Sequence, residues 1–304
     1  MEVRSIRKFW PLILFPESDS LLAKEIIRRG IELKCIYKQV NLIHRIVRKG
    51  LLKLPVPLKH FWYGEWRKVL DSHESIIIFD SIINGDLVKW IVKQKKSSRV
   101  IVWFWNPVRE RLLNEIRDLP IELWSFDRRD CRIYDMRYNS QFYFHTIEIP
   151  ETSIDYDLLF VGRDKNRLDF LCNLKKSLAS MNVSTHLHVV SHKHSVKSNS
   201  SRGYLKYEEV LRLIAKSRSI LDVVQPGQEG LTLRALEAVF LGKKLVTNNT
   251  HIMSEPIYDS SNVFVLGQRD IKELPEFLKT QTKKLPEKVL EMYDFDSWLK
   301  RFSV

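Results

Sequence analysis

Two glutamates eight residues apart, Glu229 and Glu237, lie in the stretch Leu221-Asp-Val-Val-Gln-Pro-Gly-Gln-Glu-Gly-Leu-Thr-Leu-Arg-Ala-Leu-Glu237. An apolar run ends there at Val224, a turn containing Pro226, Gly227 and Gly230 follows, and a helical pattern opens near Leu231. A strand, a glycine-containing turn and a helix start in succession make a site for an anion. The first helical turn carries N–H groups without intrahelical acceptors, and the helix dipole is positive at that end. At 100° per residue the spacing leaves the two carboxylates within about 80° of each other around the axis, so one ligand can meet both. The plainer alternative is that Glu229 solvates a loop and Glu237 is an ordinary helix residue. An E-x7-E spacing arises easily by chance. Its position directly after a buried strand is what singles it out.

A second cluster, Val161-Gly-Arg-Asp-Lys-Asn-Arg167, suits the same kind of ligand. Gly162 lets a phosphate approach the backbone, while Arg163 and Lys165 can neutralise charge that grows on a departing diphosphate. These side chains also read as solvent-facing charges before a helix. Arg234 has two readings, a phosphate contact or a scaffold partner for Asp222. His186 and His188 share one face of a predicted strand, and His192 and His194 follow in a polar stretch. No carboxylate or thiolate completes a metal set with them, so no metal is expected. His188 reads better beside a nucleotide base. Asp155-Tyr-Asp157 and Asp294-Phe-Asp296 match the DxD pattern, but neither ends an apolar strand in the first half of the chain, and both read as incidental.

The elements that must position these residues alternate. Strands are predicted at Leu12–Phe15, Ser75–Phe79, Val100–Trp105, Ile121–Ser125, Leu158–Val161, Thr185–Val190, Ile220–Val224, Lys244–Thr247 and Val263–Leu266. Helices are predicted at Ser20–Arg29, Asp86–Lys95, Pro107–Arg117, Asn166–Ser180, Tyr207–Lys216, Leu231–Phe240 and Ile271–Thr280. Most strands are short apolar blocks rather than alternations, which suits parallel strands buried on both faces. The order implies doubly wound α/β structure. It breaks at residues 127–155, which are polar and aromatic, and a new β–turn–α begins at Tyr156. Two domains follow, 1–150 and 151–304, each of a size usual for a Rossmann-like domain. The last amphipathic segment, Tyr293-Asp-Phe-Asp-Ser-Trp-Leu-Lys-Arg-Phe302, is expected to pack back as a final helix.

The 304 residues carry a net charge of +13, with 44% hydrophobic and 11% aromatic residues, which excludes a mainly disordered or fibrous chain. No apolar run reaches the ~18 residues of a membrane-spanning helix. The run near the N-terminus stops at Pro16-Glu17 without a cleavage pattern and reads as a first strand, so a cytoplasmic location is expected. Cys35, Cys131 and Cys172 form no paired motif. The positive charge calls for a polyanionic partner, whether nucleic acid, an anionic membrane or a phosphorylated substrate. Arg28, Arg29, Lys34, Lys38, Arg45, Arg48, Lys49, Lys53 and Lys59 alternate with aliphatic residues and run into Phe61-Trp62-Tyr63 and Trp66. That mixture suits a membrane interface over residues 24–66, and equally a solvated helix face over an ordinary core. A nucleic-acid-binding protein without catalytic activity is the alternative, but no compact nucleic-acid motif is present. An NAD-linked enzyme is disfavoured because no GxGxxG follows the first strand.

Several blocks in order give a resemblance: Ile121-Glu-Leu-Trp-Ser-Phe-Asp-Arg-Arg-Asp-Cys131, Tyr138-Asn-Ser-Gln-Phe-Tyr143, Tyr156-Asp-Leu-Leu-Phe-Val-Gly-Arg-Asp-Lys165, Gln228-Glu-Gly-Leu-Thr-Leu-Arg-Ala-Leu-Glu237 and Lys243-Lys-Leu-Val-Thr-Asn-Asn249. Over roughly residues 75–304 the chain resembles bacterial GT-B glycosyltransferases of lipopolysaccharide core, O-antigen and capsule synthesis. The resemblance implies two Rossmann-like domains facing a central cleft. The first would present the acceptor, a lipopolysaccharide core or lipid-linked saccharide, at an anionic inner-membrane surface. The second would hold a nucleotide-diphosphate sugar, without a metal or other cofactor. The implied donor site comprises Gly162, Arg163, Lys165, Gln228, Glu229, Gly230, Leu231, Thr232 and Glu237, with His188 near the base. Glu229 and Arg163 would carry the chemistry, and Glu237 would accept from ribose hydroxyls.

Overall fold

A computed structural model describes residues 10–52, 54, 59–95, 99–190 and 203–303. The chain divides into two compact units, Met1–Asn139 and Ser140–Val304.

The first unit contains β1 (Leu12–Phe15), α1 (Leu21–Arg28), β2 (Leu33–Cys35), α2 (Leu42–Leu51), β3 (Ser75–Phe79), α3 (Gly85–Gln94), β4 (Arg99–Phe104), α4 (Glu110–Ile116), β5 (Glu122–Ser125), α5 (Arg128–Tyr134) and β6 (Arg137–Tyr138). Its sheet is parallel throughout, in the order β2-β1-β3-β4-β5-β6. Ile76, Ile77, Ile78 and Phe79 of β3 are all buried. This is why the strand reads as an unbroken apolar block and not as an alternation. Helix starts are fixed locally: Ser20, Asn41 and Asn84 each accept from a backbone N–H three residues on.

The second unit contains β7 (Tyr156–Arg163), α6 (Leu168–Ala179), β8 (Thr185–Val190), α7 (Tyr207–Ala215), β9 (Ser217–Asp222), α8 (Leu233–Phe240), β10 (Lys244–Thr247), β11 (Val263–Val265), α9 (Leu274–Lys279), α10 (Glu287–Glu291) and α11 (Phe295–Lys300). Its parallel sheet runs β11-β10-β9-β7-β8. In both sheets the first strand of the unit lies between the second and the third. The chain therefore reverses its direction of winding beside that strand, between β1 and β3 in one unit and between β7 and β9 in the other. In open parallel sheets the carboxyl edge of that crevice is where ligands bind.

Several features differ from the sequence expectation. The division falls after Asn139, eleven residues before the expected boundary, because Phe142 and Phe144 pack on Phe295 and Trp298 of α11, with ring centroids 4.6–5.1 Å apart. Backbone bonds from Tyr143 N to Tyr293 O and from Phe295 N to Tyr143 O, each 2.9 Å, join the same segments. Strand β9 ends at Asp222 instead of Val224, since Val224 N leaves the ladder to donate to Asn248 Oδ1 at 2.7 Å. Helix α8 starts at Leu233 instead of Leu231, because Thr232 is the N-cap and accepts from Ala235 N at 3.2 Å. Within residues 24–66, Tyr63 and Trp66 belong to the core and not to a surface: Trp66 donates to Ile36 O at 2.9 Å and packs edge-on to Trp90. Among the described residues no helix is long and apolar enough to cross a membrane.

Candidate functional site

In the second unit, β7 and β9 are neighbours, so the ends Gly162-Arg163 and Asp222-Val223 come together at the crevice. The 223–232 loop is held from beside it. Asn248 accepts from Val224 N, and buried Asn249 donates through Nδ2 to Glu229 O at 3.0 Å and to Gly230 O at 3.5 Å. Gln228 Nε2 also donates to Gly230 O, at 3.3 Å. Gly227 has φ +80°, a left-handed conformation that explains the glycine there. The loop is thus a braced structure that brings Gln228 and Glu229 to the mouth of α8. Glu229 is half-buried, and its carboxylate stands 4.0 Å from His251 Nε2.

The expected donor residues divide into three groups. Arg163, Lys165, Gln228 and Glu229 are exposed or half-buried around the crevice. Desolvation and then the charges of Arg167 and Arg163 lower the pKa of the Lys165 ammonium, opposed by Asp222. Gly162, Gly230, Leu231 and Thr232 build the site from behind. Leu231 is a core side chain, and the Thr232 hydroxyl is engaged with Asp222 as well as capping α8. Glu237 and His188 lie inside the protein. His188, buried on β8, meets Gly203 O through Nε2 at 2.8 Å. β8 lies on the far side of β7 from the crevice. His186 rests against Tyr156, and His192 and His194 lie outside the described residues.

Glu237 differs most from its expected role. Its side chain is wholly enclosed; Oε1 accepts from Tyr207 OH at 2.7 Å and Oε2 pairs with Arg234. The Tyr207 oxygen in turn accepts from Tyr143 OH at 2.9 Å, and Arg234 Nε donates to Val161 O at 3.1 Å. The carboxylate therefore ties α8, α7, the 140–147 segment and β7 together, and its partner is Arg234 rather than a ribose hydroxyl. Arg234 takes a scaffold role, but with Glu237 as its direct partner and Asp222 only as a nearby charge.

Gly162 also serves a different purpose. A Cβ there would stand 3.0 Å from Arg167 Nη2 and 3.0 Å from Phe160 Cζ. The missing side chain thus makes room for Arg167, to which the sequence reading gave no role. Arg167 donates to Arg163 O through Nε at 3.1 Å and Nη2 at 3.0 Å, donates to Val223 O, and lies over the Phe160 ring. It spans the crevice from β7 to β9. Burial lowers its pKa, opposed by Asp222 and Asp164. Asp222 at the end of β9 is pushed up to about 6 by burial, against the Thr232 hydroxyl and the charges of Arg167 and Arg234.

The first unit has an equivalent position. Asp80 follows β3 at the β1/β3 crevice. Oδ1 accepts from Trp105 N at 3.2 Å and Asn106 Nδ2 at 3.3 Å, while Oδ2 has no hydrogen-bond partner among the described residues and Arg109 Nε stands 3.9 Å away. Burial raises its pKa to about 6. The signal for Asp80 was present in the sequence, a carboxylate placed directly after an apolar strand, whereas Asp222 fell inside the predicted Ile220–Val224 strand and is its last residue in the fold. The two DxD matches sit elsewhere. Asp155 and Asp157 lie at the amino end of β7, paired with Lys216 and Arg218, and Asp294 caps α11 and meets His145 at 2.7 Å.

No family model matches this sequence, and no curated protein matches it. Solved structures do match. Among them is T4 phage beta-glucosyltransferase, with a TM-score of 0.53 over 96% of this chain and 98% of that one, at 10% sequence identity. The fold is GT-B. At so low an identity the likeness speaks for the architecture of two Rossmann-like units and not for the reaction.

Proposed function

We propose that the chain is a glycosyltransferase that moves a sugar from a nucleotide-diphosphate donor onto a saccharide acceptor. The observation that carries this reading is the carboxyl edge of β7 and β9. There a braced glycine loop, the start of α8 and the cations Arg163, Lys165 and Arg167 surround one crevice. Breaking a sugar–phosphate bond leaves negative charge on the diphosphate, and fixed positive groups are what such a step needs. In this reading Arg163 and Lys165 take the diphosphate, and Arg167 holds the β7 and β9 ends at the spacing that presents them. Glu229 and Gln228 take sugar hydroxyls at the loop, and Glu237 keeps Arg234 and α8 in place. The acceptor belongs to the first unit and is a lipopolysaccharide core or lipid-linked saccharide at the inner face of an anionic membrane. T4 phage beta-glucosyltransferase, named for glucosyl transfer, supports the class without choosing the sugar.

The test is a panel of nucleotide sugars incubated with the protein, with release of the nucleoside diphosphate as the readout. Release from one donor, greatly reduced by Arg163→Ala, is the expected result. No binding and no turnover of any donor would sink the reading.

A further inference from the structure

Helix α2 is built inside out. Its apolar residues Leu42, Ile43, Ile46 and Val47 are 47–71% exposed, and no residue of the helix is buried. At 100° per residue these four fall within an arc of about 140°. The side turned to the body of the unit is polar. Arg48 donates to Lys38 O at 2.6 Å and lies over the ring of buried Tyr37, 5.0 Å from its centroid. Just beyond the helix, Asn84 Nδ2 reaches Leu52 O at 3.5 Å. Amphipathic helices of globular proteins ordinarily bury the apolar stripe and leave the charges in water. Here the Arg48 contacts fix the reverse and leave the apolar stripe exposed.

We propose that the Leu42–Val47 face of α2 inserts into the headgroup region of an anionic lipid membrane. Charge selects this occupant: Arg45 and Lys49 lie next to the apolar arc on the same helix, where their stems can follow the apolar surface and their charges can meet lipid phosphates. Leu54 and Phe61, also exposed, extend the apolar character beyond the helix, on a chain of net charge +13. A second copy of the chain fits less well. Four side chains present a few hundred Å² of apolar surface, whereas stable protein interfaces bury about 1,200 Å² or more in total. A nucleic acid would engage Arg45 and Lys49 but leave the four exposed aliphatic side chains in water, so it accounts for only half of this surface. The proposal gives a place to the membrane-facing part of the function reading, and does not depend on sugar transfer.

The experiment is flotation of the full chain with vesicles of phosphatidylglycerol and phosphatidylethanolamine, compared with pure phosphatidylcholine, at low and high salt. The wild type should float with the anionic vesicles and less so as salt rises. Ile43→Ser/Ile46→Ser should weaken binding on the order of a hundredfold, since each loses an inserted aliphatic side chain. Arg45→Gln/Lys49→Gln should weaken it roughly twentyfold at low salt. Both pairs are exposed, so melting temperatures should stay at the wild-type value. Absent binding to anionic vesicles, or binding unchanged in the serine variant, overturns the proposal. So does a wild-type dimer in light scattering that the serine variant dissociates. None of these readouts involves donor turnover, so they separate failure of the proposal from failure of the function reading.

Discussion

Replacing Glu237 by Gln separates a structural carboxylate from a ligand-binding one. Glu237 has no solvent exposure, and Arg234 retains 23% of its side-chain area. Removing one partner of a buried ion pair costs about 3–5 kcal/mol, because the charge left behind is poorly hydrated. Arg234 keeps its bond to Val161 O and some access to water, and a glutamine oxygen can still accept from Tyr207. The cost should therefore lie at the lower end, about 3 kcal/mol. For a unit the size of Ser140–Val304, roughly 2–4 °C per kcal/mol translates this into a fall of roughly 6–12 °C in its melting transition. Differential scanning calorimetry, with a nucleotide-binding titration on the same samples, measures both consequences. A midpoint within about 2 °C of wild type, together with lost nucleotide affinity, would refute the reasoning. It would mean that the carboxylate serves a ligand and that its internal partners exchange freely.

Other outcomes follow from the same geometry. Glu229→Gln and Arg163→Ala should each lower nucleoside diphosphate release roughly a hundredfold or more, with unchanged melting, because both side chains stand at the crevice and outside the core. Gly162→Ala should cost about 1 kcal/mol by crowding Arg167. That cost should shrink in an Arg167→Ala background, and an undiminished cost in the double-mutant cycle would show that Phe160 alone is crowded. Asp222 has a folded pKa of about 6 against an ordinary 3.8. Below pH 4 both states hold its proton, and between about 4 and 6 only the folded state does, so stability falls as pH rises through that window and then levels. The share of this one group is up to about 3 kcal/mol, at 1.36 kcal/mol per pKa unit. Asp222→Asn should flatten that part of the profile in urea melts, and an unchanged slope would place the titration elsewhere.

How much was legible can be judged element by element. Leu12–Phe15, Ser75–Phe79, Thr185–Val190 and Lys244–Thr247 are strands at their expected bounds. Leu12–Phe15, Ser75–Phe79 and Lys244–Thr247 lie inside their sheets, so burial on both faces leaves an apolar block with sharp edges, whereas Thr185–Val190 is an edge strand with a partly exposed face. Leu33–Cys35 and Arg137–Tyr138 were missed because two or three residues hold no period. Helix α2 has a helical period in Leu42, Ile43, Ile46 and Val47, but which of its faces turns to the protein is not written in that period, and here the apolar one is exposed. The glycine loop, its adjacent strand and the following helix were readable because each has a local signature.

What the sequence determined by itself, then, is what depends on neighbours along the chain: parallel α/β structure, the loop before α8 and the cations after β7. Only the tertiary structure decided which polar groups face a ligand and which face one another. Glu229 and Glu237 are identical side chains in one short stretch. The first is half-buried at the crevice, while Tyr207 and Arg234 enclose the second. Gly162 looks like room for a phosphate until Arg167 is seen to fill it. A carboxylate's role depends on whether its oxygens are already satisfied. Tyr207 lies 30 residues from Glu237 along the chain and within hydrogen-bond distance in space, so that answer belongs to the fold.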